Sequence, residues 1–294
     1  MEQLLVELYC DIDDFSKAFD EYWRKYLLTD GTPVIPKCAM SLSEIMTIVI
    51  LFHLSNHRTF KWYYKNYICG TLKSYFPQAL SYNRFVEIMQ GTIVPLTVYL
   101  MKFRTGKCSG ISFMDSTTLN VCHNRRINSH EVFKDIAKRG KSSTGWFYGF
   151  KLHLIINDEG EILSFCLTAG NVDDRDWKTI SMLTREIFGK LFADKGYISQ
   201  KLFEKLFQKN IALITKIKKN MKNRLMNIFD KLMLRKRAII ESVNDFLKNI
   251  CQIEHTRHRS FANFVVNLLS GLIAYSFLPK KPSLRIREHL ALHG

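Results

Sequence analysis

From residue 109 onward the chain switches between two hydrophobic rhythms, and this constrains its fold more than any other feature. Ile111-Ser-Phe-Met-Asp-Ser-Thr-Thr-Leu-Asn-Val121 is rich in β-formers and partly alternates. Phe147 to Ile156 alternates more strictly, with Phe150, Leu152, Leu154 and Ile156 on one side. Asn157-Asp-Glu-Gly160 is a hairpin turn, and Glu161 to Thr168 returns as a third strand. The rhythm then lengthens. Asp174 to Phe188 reads as a helix, Lys190 to Asp194 as a short strand, and Ser199 caps a helix to about Lys209. Ile211 to Thr215 is a buried strand, and helices close the chain. A meander followed by alternating units predicts an α/β domain with a mixed five-stranded sheet and helices against it.

Residues before this point read as helical. Ile12, Phe15, Phe19 and Trp23 recur at helical spacing, Pro33 and Pro36 break the chain, and Ser41-Leu-Ser-Glu44 is a capping box opening an apolar helix. The expected division is an all-α domain over 1–106 and an α/β domain with C-terminal helices over 107–294. The strand and helix order of the second matches the ribonuclease-H-like architecture.

Lys and Arg number 43 against 27 Asp and Glu, a formal charge of +16. Such an excess points to a polyanionic partner, nucleic acid or an acidic membrane. Apolar residues at 47% supply a core and exclude a largely disordered chain. Phe261 to Leu278 approaches the length of a membrane span, but Asn263, Asn267, Ser270 and Ser276 interrupt it, so it is expected to be a buried helix of a soluble core. The start carries Glu2 and Glu7 rather than a basic leader, and the seven cysteines include no C-x-x-C. Both fit reduced thiols in a cytosol. Cys122-His123 and His255-Thr-Arg-His258 lack a second pair at zinc-site spacing.

Three acids carry the chemistry. Asp115 interrupts an apolar strand, where a carboxylate is costly unless paired or metal-bound. Asp194 ends a strand ahead of Lys195-Gly196. Glu241 lies in Arg237-Ala-Ile-Ile-Glu-Ser-Val-Asn-Asp-Phe-Leu-Lys248, where Arg237, Glu241, Asn244 and Lys248 share one helix face amid apolar neighbours. Three carboxylates at one sheet face could hold two divalent ions, which act on a phosphodiester. Arg237 and Lys248 would contact phosphates.

These residues resemble the DDE transposases of bacterial insertion sequences. Arg237, Glu241 and Lys248 have the spacing found around the catalytic Glu in the superfamily that includes insertion sequence 4. More closely, the chain is similar to the insertion sequence 982 family over about residues 1–290. Phe113-Met-Asp-Ser-Thr, Arg139-Gly-Lys-Ser-Ser-Thr-Gly-Trp-Phe-Tyr-Gly-Phe-Lys-Leu-His153, Thr168-Ala-Gly-Asn-Val-Asp-Asp-Arg-Asp176, Ala193-Asp-Lys-Gly-Tyr197 and Lys236-Arg-Ala-Ile-Ile-Glu241 carry that similarity. The pattern's Tyr three residues before the Arg is Leu234 here. The resemblance implies that Asp115, Asp194 and Glu241 bind two Mg²⁺ or Mn²⁺ ions. It also implies that the enzyme cleaves terminal inverted repeats and joins them to target DNA.

Further DNA contacts are expected from Lys151, from Lys216, Lys218 and Lys219, and from Arg257 and Arg259. Lys151 alternates away from the apolar side of its strand, where it faces DNA or solvent. Trp146 and Tyr148 suit base stacking, although Trp146 is expected to pack in the core. The interleaved bases and rings of His57 to Lys65 fit either backbone contact or an amphipathic helix. Asp173, Asp174 and Asp176 read as a capped, dipole-compensated helix start, and Asp245 as a poorer substitute for Glu241. Pairing two DNA ends favours a homodimer on DNA, and the basic runs Lys216 to Arg224, Lys231 to Arg237 and Arg257 to Arg259, which flank Glu241 in sequence, favour DNA over a membrane. Two rival readings are a catalytically inactive, domesticated DNA-binding derivative and a ribonuclease-H-type nuclease acting on RNA or hybrids.

Overall fold

A computed structural model of the chain describes residues 2–26, 38–143, 145–216, 226–254 and 258–284. Two compact units emerge. One spans Met1–Arg104 with Leu247–Phe277, the other Thr105–Phe246 with the stretch from Leu278.

The first unit is helical. α1 (Glu2–Tyr26) buries Leu5, Leu8, Ile12, Phe15 and Phe19, a stripe at three- and four-residue spacing. α2 (Leu42–Leu54) opens at the expected capping box: Ser41 Oγ accepts from the Glu44 N–H at 3.1 Å, and the Glu44 carboxylate accepts from the Ser41 N–H at 2.7 Å. α3 (Phe60–Trp62) continues as a π-helical stretch, Tyr63–Thr71, and α4 (Tyr82–Ile88) and α5 (Ile93–Tyr99) follow. Tyr63 and Tyr64 are buried while Lys61 and Lys65 are exposed, so the basic and aromatic stretch is an amphipathic helix face.

The second unit is a mixed sheet with helices, built from β1 (Ile111–Cys122), β2 (Lys138–Ser142), β3 (Gly145–Asn157), β4 (Ile162–Ala169), β5 (Gly189–Ala193) and β6 (Ile211–Thr215). The sheet has six strands rather than the five expected. The addition is β2, whose Lys-Arg-Gly-Lys-Ser sequence has no strand composition. One edge of β3 pairs antiparallel with β1, and the other pairs with β2 over residues 145–149 and with β4 over residues 150–156. β1 and β5, and β5 and β6, run parallel. Gly149 meets β1 at a register shift, where an added Cβ would stand 2.0 Å from the Leu119 carbonyl oxygen.

Alternation separates the sheet's two faces. Met114, Ser116 and Thr118 lie with Ile155, His153 and Lys151 on one, Phe113, Asp115 and Thr117 with Ile156, Leu154 and Leu152 on the other. α6 (Trp177–Leu183) and α7 (Gln200–Phe207) cover the first face, packing Ile180, Leu183, Leu202 and Leu206 against Met114, Ile155, Leu191 and Ala193. α6 is shorter than the expected 174–188. α8 (Ile228–Lys236) lies along β5 and β6, and α9 (Ala238–Asp245) along β1.

α10 (Phe261–Ser276) is the apolar helix near the C-terminus. Among the described residues, no helix is long and apolar enough to cross a membrane. The expected grouping of the C-terminal helices with the sheet is corrected: α10 packs against α2 in the helical unit. His53 Nδ1 lies 2.5 Å from the Cys251 carbonyl oxygen. Arg104 donates to Ser276 Oγ at 2.9 Å and stacks 3.6 Å from the Phe277 ring centroid. Apolarity marked α10 as buried but could not name the surface that buries it.

Candidate active site

Asp115 lies in mid-strand on the face turned to α9, with its side chain only 22% exposed. Burial among the apolar residues of that face pushes its carboxyl from 3.8 up to about 6. Arg237 and the Ser116 N–H oppose the rise, and the charges of Glu241 and Asp194 add to it. Both other acids therefore act electrostatically on Asp115.

The fold explains their approach. Met114 pairs with Ala193 across parallel β1 and β5, so Asp115 and Asp194 follow adjacent positions at the same end of the two strands. Asp194 is exposed and opens the 3₁₀ turn Lys195–Tyr197, with the Tyr197 N–H donating to its carbonyl oxygen at 3.1 Å. Arg237 sits at the junction of α8 and α9, its side chain 14% exposed. Its Nη2 is 2.5 Å from Glu241 Oε1 and its Nη1 3.9 Å from Asp115 Oδ1. One turn further along α9, Asn244 Nδ2 donates to Asp115 Oδ2 at 3.4 Å.

Among the described residues, no three His, Cys, Asp or Glu side chains form a group that could hold a metal ion. The reason is visible: Glu241 points to Arg237, and its side chain is 58% exposed. The donor set nonetheless suits hard divalent cations, being all carboxylate. Arg237 Nη1 and Asn244 Oδ1, both buried beside Asp115, have no hydrogen-bond partner. A buried carboxylate flanked by unsatisfied polar atoms fits a site completed by a further ligand.

The family described as "Transposase DDE domain" matches residues 105–261. The chain belongs to that family. It is a transposase, and its activity lies in DNA transposition and recombination. No curated protein matches the chain. Among solved structures it is similar to a piggyBac transposase synaptic complex with hairpin DNA, seen by cryo-EM. There the identity is 11% and the TM-score 0.47, covering 92% of this chain and 70% of that chain. A likeness so distant carries no argument for this transposase.

Two expected DNA contacts are engaged within the protein. Lys151 does lie opposite the apolar side of β3, but α6 and the loop before it cover that face. Its side chain is 11% exposed, with Nζ donating to the Val172 carbonyl at 2.9 Å and to Asp174 Oδ1 at 3.0 Å. Lys248 falls in the π-helical turn Phe246–Ile250 that follows α9. It pairs with Glu254 at 3.2 Å. Lys216 and Arg259 are exposed, whereas Lys218, Lys219, Arg257 and His255 lie outside the described residues.

The aspartates after β4 divide their tasks. Asp176 caps α6 by accepting from the Thr179 N–H at 2.9 Å, as a helix start requires. Asp173 is held down to about 2 by its bonds to Arg175, and Asp174 reaches Lys151. Asp245 is exposed, and the residue of α9 that meets Asp115 is Asn244. Trp146, expected in the core, is 53% exposed because it sits near the tip of the β2–β3 hairpin. Arg139 and Lys141 lie 4.9 Å and 5.9 Å from its ring centroid.

Proposed function

We propose that this transposase is of the insertion sequence 982 type. It binds the terminal inverted repeats of its element, cleaves DNA at the ends and joins the 3′-hydroxyls to target DNA. The observation that supports this reading is the desolvated Asp115 carboxylate, which feels the charges of Asp194 and Glu241 and has Arg237 between itself and Glu241. The sheet order, with β1 central and its neighbours antiparallel on one side and parallel on the other, supports a ribonuclease-H-like catalytic domain.

Asp115, Asp194 and Glu241 would hold two Mg²⁺ ions, with Mn²⁺ as a substitute. Such ions activate a water or 3′-hydroxyl and stabilise the leaving oxygen of a phosphodiester. Burial keeps Asp115 poorly solvated and therefore strongly responsive to added positive charge. Glu241 has the exposure to turn from Arg237 toward the other acids. Its departure leaves the guanidinium for a backbone phosphate. Asn244 holds Asp115 in one rotamer.

The positive excess serves the double-stranded DNA. Lys216, Arg259, and Arg139 and Lys141 around Trp146 are exposed cations for phosphates, and Trp146 offers a ring for an unpaired base. The helical unit reads the element ends, and two copies pair them as a homodimer on DNA. The test is Mg²⁺-dependent nicking of a duplex carrying the inverted repeats that flank the reading frame. Asp115→Asn, Asp194→Asn or Glu241→Gln is expected to abolish nicking while binding persists.

A further inference from the structure

Behind Asp115, on the opposite face of the sheet, lies a set of buried and half-buried polar groups that the reaction above does not use. Lys151 is 9% exposed in the central strand β3, where a cation is tolerated only with partners. Its Nζ bonds to the Val172 carbonyl at 2.9 Å and to Asp174 Oδ1 at 3.0 Å, pinning the loop before α6 to the sheet. The same Oδ1 accepts from Ser116 Oγ at 3.0 Å, and Ser116 directly follows Asp115. The Tyr197 hydroxyl is buried without a hydrogen-bond partner among the described residues and feels the charge of Asp174. It is pushed well above the ordinary tyrosine range by burial first, then by the charges of Asp174 and Asp115. Tyr197 also closes the turn that begins at Asp194.

One side chain, Asp174, thus ties the strand that carries Asp115 to the loop before α6. We propose that Asp174, fixed by Lys151, is a positioning residue: through Ser116, and through its place beside Tyr197, it sets the spacing of Asp115 and Asp194 for divalent ions. This rests on the assignment of those acids as metal ligands. Groups that orient metal ligands through a hydrogen bond typically affect metal affinity 10- to 100-fold. His153, on the same face and bonded to Thr168 Oγ1 at 2.9 Å, is pushed down to about 4 chiefly by burial, so at neutral pH it adds no charge there.

The experiment uses the full chain. Free Mn²⁺ is read by electron paramagnetic resonance, and the Mg²⁺ needed for half-maximal nicking is measured separately from the rate at saturating Mg²⁺. Asp174→Asn and Ser116→Ala are expected to weaken Mn²⁺ binding and raise the Mg²⁺ requirement on the order of tenfold. Ser116→Thr, which keeps the hydroxyl, is expected to restore both. Ser116→Ala leaves the Lys151–Asp174 pair intact, so its thermal midpoint in chelator should match wild type, separating positioning from folding. Wild-type metal affinity in folded Ser116→Ala and Asp174→Asn proteins would overturn the proposal alone. A wild-type protein that neither binds Mn²⁺ nor nicks DNA would overturn the assignment of the acids, and the proposal with it.

Discussion

The guanidinium of Arg237 stands 3.9 Å from the Asp115 carboxylate, bringing the junction of two helices to the middle of a buried strand. Arg237 is the largest influence holding the Asp115 pKa down against burial. Replacing it with Gln should move the Asp115 midpoint above about 6. Carboxyl ¹³C NMR of metal-free protein reads this directly, and an unmoved midpoint would show that the two groups do not interact.

The raised Asp115 carboxyl also predicts a stability profile. A group whose folded pKa exceeds its unfolded value binds protons more tightly in the native state. The stability it contributes is full below about 4 and is lost as pH rises through about 6. A shift from 3.8 to about 6 corresponds to something on the order of 2–3 kcal/mol. Asp115→Asn cannot ionise. Its thermal midpoint in chelator should therefore gain on wild type between pH 4 and pH 7, and parallel profiles would contradict the assigned burial cost.

Trp146 offers a test of the DNA-facing surface. Its ring is 53% exposed, so Trp146→Ala should change stability by no more than about 0.5 kcal/mol. If a base stacks there, affinity for terminal-repeat DNA with unpaired bases at the cleavage point should fall by about 1–3 kcal/mol. Titration monitored by fluorescence anisotropy distinguishes this from an idle surface ring, for which affinity would stay unchanged.

Gly149 tests the sheet itself. A methyl group there would stand 2.0 Å from the Leu119 carbonyl oxygen, a backbone atom of the paired strand that cannot swing aside. Gly149→Ala should cost at least about 3 kcal/mol or prevent folding. A near-wild-type denaturation midpoint would mean that β1 and β3 are not paired in this register.

The residues that were legible in the sequence are those whose structure is set locally. The Ser41 capping box, the Asn157–Gly160 turn and the Ser199 cap depend on neighbours within a few residues, and each is present. Alternation along β3 correctly separated Lys151 from Leu152 and Leu154, but it could not show that helices cover both faces. A lysine read as DNA-facing is therefore buried. Lys248 differs in another way: it falls in a π-helical turn that has no composition signal, where it pairs with Glu254. Nor did β2 announce itself, since its place is set by close approach to the chain after β4. A Cβ on Gly140 would stand 2.1 Å from the Gly170 carbonyl oxygen. The Ser116, Asp174 and Tyr197 group was missed because no single segment contains it. The usable signal was Lys151 and His153 at alternate positions opposite the apolar side of β3.

The central claim is that Asp115, with Asp194 and Glu241, carries metal-dependent cleavage of the element's ends. The most direct measurement is strand nicking of a duplex bearing the inverted repeats that flank the reading frame, with Mg²⁺ or with chelator, by wild-type and Asp115→Asn proteins of equal DNA affinity. Nicking by wild type in Mg²⁺ alone, lost in Asp115→Asn, is the predicted result. Full cleavage by Asp115→Asn, or cleavage indifferent to chelator, would contradict it.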